Sequence, residues 1–95
     1  MLVEWRPRAL RALKTRVDFL KSKNPRAARE AGALLLAASD RLGEFPNLGR
    51  LYKAAPGRYR ELMVPFGGEG YSLLYKVMSD RVLIMSVRHQ REAGY

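Results

Sequence analysis

The side chains best equipped for chemistry in this 95-residue chain are Arg60, Arg88, His89, Arg91 and Tyr95. Four of them fall in the closing stretch SVRHQREAGY, residues 86–95, and His89 is the only histidine. Imidazole changes charge near neutral pH, so it can pass a proton as acid or base. No partner base stands beside His89, and a strand-end histidine that only packs or hydrogen-bonds locally suits the position equally. A second group, Arg50, Lys53, Arg58 and Arg60, lies in a span from 50 to 60 that contains no acid. Tyr52 and Tyr59 are interleaved with these cations. Such a mixture can hold a phosphate backbone and stack on bases; packing of both tyrosines into the fold is the plainer alternative. One histidine, no cysteine and scattered carboxylates offer no metal-ligand set. Gly67-Gly68-Glu69-Gly70 lacks the Lys-Ser/Thr of a phosphate-cradling loop and leads into a strand pattern, so it reads as a hairpin turn. No cofactor is called for.

Charge dominates the composition. Eighteen Lys+Arg against nine Asp+Glu give a net charge of +9. From Arg6 to Arg29, nine basic residues face Asp18 alone. A chain of this kind attracts nucleic acid, an acidic protein or an anionic surface. No apolar run is long enough to span a bilayer or to act as a secretion signal. Absence of cysteine excludes a disulfide framework. The expectation is a single domain, residues 1–95, soluble and cytoplasmic, with no membrane partner.

The elements that must position these residues follow from periodicity. Leu2–Trp5 reads as a short strand. Pro7 suits a first helical turn, and Leu10, Leu13, Val17 and Leu20 recur at helical spacing to about Lys23. Asn24-Pro25 stops this helix and opens the next. In the second helix Ala28, Ala31, Leu35, Ala38 and Leu42 make one apolar stripe, with Gly43 as the expected C-terminal cap. The period then changes to two. Strands are expected over Tyr59–Val64, ended by Pro65, over Tyr71–Val77 with one buried face, and over Val82–Val87 covered on both faces. The fold class is therefore α+β: an N-terminal helical hairpin on a three- to four-stranded antiparallel sheet.

The order of FPNLGR, GRYRELMVPFGGEGYSLLYKV and DRVLIMSVRH after a helical hairpin resembles the RelE/ParE toxin superfamily of bacterial toxin–antitoxin systems. The likeness runs from Leu10 to about Arg91. It rests on Phe45-Pro46 with Gly49-Arg50, Arg60-Glu61-Leu62, Gly70-Tyr71 with Tyr75, and Val87-Arg88-His89. The resemblance implies a growth-inhibiting toxin neutralised by a cognate antitoxin in a toxin–antitoxin hetero-oligomer. Members similar to ParE, of plasmid stabilisation systems, inhibit DNA gyrase and need no nuclease chemistry. Members similar to RelE cut mRNA on the ribosome. The catalytic residues stay unassigned; if the chain is such a ribonuclease, the candidates are Arg60, Arg88, His89, Arg91 and Tyr95. RNA cleavage needs an activated 2′-oxygen, a proton for the leaving oxygen and cations for the phosphorane.

Two departures weaken the nuclease pattern. Leu62 stands where a second base would share a face with Arg60, and Ser72 follows Gly70-Tyr71 where the nucleases carry arginine. The chain is thus more ParE-like than RelE-like. Inhibition of gyrase is the leading expectation, ribosome-dependent mRNA cleavage the alternative, and a basic non-catalytic binding module the third. Expected target contacts are Arg50, Lys53, Arg58, Arg60, Arg88 and Arg91. Expected antitoxin contacts are Leu10, Leu13, Val17 and Arg16 on the first helix, and Arg6 just before it.

Overall fold

A computed structural model describes residues 1–95. Strand β1 (Leu2–Trp5) leads into helices α1 (Pro7–Lys23) and α2 (Pro25–Glu44). Strands β2 (Arg50–Leu51), β3 (Arg60–Phe66), β4 (Glu69–Val77) and β5 (Arg81–His89) follow. Both helices pack on one face of the sheet, giving the expected two-layer α+β fold. The sheet itself differs from expectation: it has five strands in the order β1-β5-β4-β3-β2, and β1 runs parallel to β5. The helical hairpin carries the chain from one edge of the sheet across its face, which returns β1 parallel to a strand far along the sequence.

Asn24 alone joins the helices. Its side chain accepts from the Ala27 N–H at 3.1 Å, and its own N–H donates to the Leu20 carbonyl, so one residue ends α1 and starts α2. The α2 stripe Ala28, Ala31, Leu35, Ala38 and Leu42 is buried throughout. Along α1, Ala9 is fully buried, Leu13 and Leu20 pack against the core, and Leu10 is left exposed. Gly43 does not cap α2, which continues through Glu44. It is small for another reason: a Cβ there would lie 2.7 Å from the Met1 carbonyl oxygen.

Three strand expectations are corrected. Pro65 lies inside β3 rather than ending it. Strand β2 pairs only with Arg60 and Glu61, so β3 has a free edge at Pro65 and needs no donor there. The turn is Gly67-Gly68 alone, with Gly67 at φ 64°, and Glu69 and Gly70 already belong to β4. The doubly covered strand is β4, buried from Gly70 through Tyr75, whereas Leu83 and Met85 of β5 are half-exposed. The ladder shifts register between Leu74 and Tyr75 and skips Met85. This bulge puts Val82, Ile84 and Val87 on the same buried face despite their mixed parity.

Residues paired across strands share a face. The helix side carries Arg60, Leu62 and Val64 opposite Tyr75, Leu73 and Tyr71, then Ile84, Val87 and His89. The open side carries Glu61 and Met63, Leu74 and Ser72, Ser86 and Arg88.

Candidate functional site

The open face is organised around Glu61, a carboxylate whose residue is only 3% exposed. Arg50 Nη2 donates to its Oε1 at 3.0 Å, and Arg88 Nη2 to its Oε2 at 3.3 Å. The Tyr95 phenol also donates to Oε2, so the Ser72 hydroxyl, 2.7 Å from the phenol oxygen, must donate to Tyr95. Burial opposes ionisation of Glu61, but the hydrogen bonds from Tyr95, Arg50 and Arg88 outweigh it and hold the carboxyl below its ordinary range. Burial and the hydrogen bond to Glu61 push the Tyr95 phenol up to about 12. The Arg88 guanidinium lies 5.1 Å from the Tyr95 ring centre, and Tyr52 meets the ring edge-on at 5.7 Å. Arg88 Nε is buried without a partner, so the group is gripped through its two terminal nitrogens.

The segment after β5 does not project from the sheet as a free cationic tail. Its Glu92 carboxylate accepts from Arg16 of α1 and from the His89 backbone N–H, while the Glu92 carbonyl accepts from Arg88 Nη1. Burial opposes Glu92 ionisation, but these partners outweigh it and keep its carboxyl low. Residues 90–95 therefore fold back, with Tyr95 as a lid over the open face.

His89 points to the other side. Its ring meets Tyr71 edge-on at 5.3 Å, and its Nε2 lies 3.0 Å from Glu69, which also pairs with Arg91. These residues and Arg16, Phe19 and Leu20 line a cleft of about 540 Å³ between α1 and the end of the sheet. Arg60 is elsewhere again. It is separated from β5 by β4, faces the helix side, and donates to the Gly49 carbonyl at 2.7 Å. The proposed nuclease residues thus fall in three places: Arg88 with Tyr95, His89 with Arg91, and Arg60 alone.

The FPNLGR loop is held by Tyr75, whose phenol donates to the Pro46 carbonyl and accepts the Gly49 N–H at 2.8 Å. A Cβ on Gly49 would lie 2.7 Å from the Glu61 carbonyl oxygen and from the Tyr75 hydroxyl. Beyond it, Arg58 and Arg60 flank a recess of about 200 Å³ with Tyr59, Gly57 and Val77. Arg16 and Arg6 of the expected antitoxin surface are ion-paired to Glu92 and Glu4, Val17 is half-buried facing Gly32 of α2, and Leu10 remains open. Glu61, Glu92 and Ser72 were not among the expected site residues. An acid between strand residues was the one available signal for Glu61.

The fold is thus a two-helix layer on a five-stranded sheet, with the open face closed by the chain's own C-terminal segment. The solved structure described as the chromosomal ParDE TA system from P. aeruginosa superposes with a TM-score of 0.78 over 94% of this chain and 95% of that one, at 17% identity. The chain also matches the family described as ParE toxin of type II toxin–antitoxin system, parDE, over residues 3–94. It is 39% identical to Toxin RelE3 of Caulobacter vibrioides over 95% of both chains. It is 34% identical to Toxin RelE1 of the same organism, covering 90% of this chain and 88% of that one. The chain belongs to the ParE toxin family of type II toxin–antitoxin systems.

Proposed function

We propose that this toxin, neutralised by a cognate antitoxin, arrests growth by binding DNA gyrase and not by cutting RNA. One observation carries this: the cations that a nuclease centre would use do not converge, and the two near the chain end are already paired with carboxylates. Arg88 is tied to Glu61 and Arg91 to Glu69, while Arg60, which has no carboxylate partner, lies across β4 on the helix side. A phosphorane needs uncompensated, convergent positive charge. Glu61, buried and paired with two arginines, instead makes the open face a closed, charge-compensated surface. A surface of this kind suits recognition of a protein. An acidic, amphipathic antitoxin segment fits α1, where Leu10 is exposed among basic side chains.

Supercoiling by purified gyrase tests the proposal. The expected result is a block at stoichiometric toxin; undiminished supercoiling at a large excess of folded toxin sinks it. Codon-phased cuts in ribosome-bound mRNA, lost on Arg88→Ala, would establish the ribonuclease in its place.

A further inference from the structure

The two recesses of the molecule treat charge in opposite ways. In the cleft beside His89, both arginines have a carboxylate: Arg16 with Glu92 and Arg91 with Glu69. In the recess of the loop between β2 and β3, Arg58 and Arg60 have none, and neither does Lys53 on the same loop. The acid next in sequence, Glu61, is buried on the opposite face and already neutralised by two arginines. The loop is also stiff. Backbone bonds from Tyr52 to Tyr59, Ala55 to Tyr52, and Arg58 and Tyr59 to Ala55 fold it into successive tight turns, and β2 and β3 anchor its ends. Arg58 lies over the Tyr59 ring at 5.8 Å, and Arg60 is fixed by Gly49. Fixed, unpaired cations at a shallow recess are what an oxyanion needs, because little side-chain entropy is lost on binding.

We infer that this loop is a phosphate-backbone site for duplex DNA, contacted by Lys53, Arg58 and Arg60. The choice of duplex over single strand comes from the tyrosines. Stacking on splayed bases requires free aromatic faces. One face of the Tyr59 ring is covered by Arg58, and Tyr52 is held in a T-shaped pair with the Tyr95 ring. Phosphates on a duplex whose bases stack on each other need no such face. The inference extends the gyrase proposal, since gyrase holds DNA, but it is tested without gyrase, so either can fail alone.

The measurement is fluorescence anisotropy of the full chain with a random-sequence duplex across a salt series. Three phosphate contacts predict a log–log salt slope of about −2.7, at about −0.9 each. Arg58→Gln and Lys53→Gln should each reduce the slope by about 0.9 and weaken binding several-fold at low salt. Both side chains are exposed, so the variants keep the fold. Arg11→Gln/Lys21→Gln on α1 removes more charge and should leave the slope unchanged. The inference is overturned if the α1 variant loses as much as the loop variants, if the loop variants bind normally, or if single-stranded RNA of equal length binds more tightly than the duplex.

Discussion

The two ends of this sheet carry similar cations and use them differently. At the C-terminal end, Arg16, Arg88 and Arg91 are each matched to a carboxylate, and Tyr95 closes the surface over Glu61. At the β2–β3 loop, Lys53 and Arg58 face water with no acid beside them. Charge at the first end maintains the fold; charge at the second is available to a partner. A sum of +9 conceals this division, because it treats an arginine buried against glutamate and a lysine on a loop tip alike.

The largest effect is expected from Glu61→Ala. It leaves Arg88 largely buried without its counter-ion, a change that costs about 3–5 kcal/mol in chemical denaturation. A loss under about 1 kcal/mol would mean the C-terminal network is no more structural than the loop. Gly49→Ala comes next. Its Cβ must displace the Tyr75 hydroxyl or the β3 backbone, costing about 2–3 kcal/mol, and the loop cations should move with it. Tyr95→Phe removes the hydrogen bond to the Glu61 carboxylate and the one accepted from buried Ser72, and should cost about 2 kcal/mol.

That last variant has a pH signature. The Tyr95 pKa is higher folded than unfolded, so its contribution is complete below pH 10 and fades as pH rises through about 12. Tyr95→Phe should flatten this alkaline loss. Glu61 and Glu92 have the opposite sign. Their folded pKa values lie below the ordinary 4.5, so their contribution is present above that pH and is lost as pH falls below it. Acid should therefore loosen the C-terminal end before the loop, visible as faster exchange of the His89 and Glu92 amides than of the Tyr52, Ala55 and Tyr59 amides. Smallest of all, Lys53→Ala should change stability by less than about 0.5 kcal/mol while weakening DNA binding, the reverse of Glu61→Ala.

Much of the helical layer is legible in the sequence, since local signals define it: Asn24-Pro25 marks the joint, and the alanine-leucine stripe of α2 marks its buried face. The sheet is less so. Strand β2 has two residues, too few for any period, and the parallel partner of β1 lies far along the chain. The Met85 bulge inverts the face of everything after it, which alternation alone misassigns. The same parity separates Arg60 from Arg88, though their charges suggest one centre. Glu61 escaped notice because an acid in a strand looks solvent-facing until arginines from two other strands and a tyrosine from the chain end are brought to it.

The pairing of β1 with β5 has a consequence in time. Trp5 emerges early in synthesis, but its partner Ile84 is made only after nearly the whole chain. At about 5–20 residues per second, the first strand waits roughly 4–16 s for its neighbour. The helical hairpin, stabilised by near contacts, can form during that interval with Leu35 and Leu42 still uncovered. The nascent chain thus passes through a stage in which the α2 stripe lacks its sheet, and any protein that engages it then meets a surface that the finished molecule no longer displays.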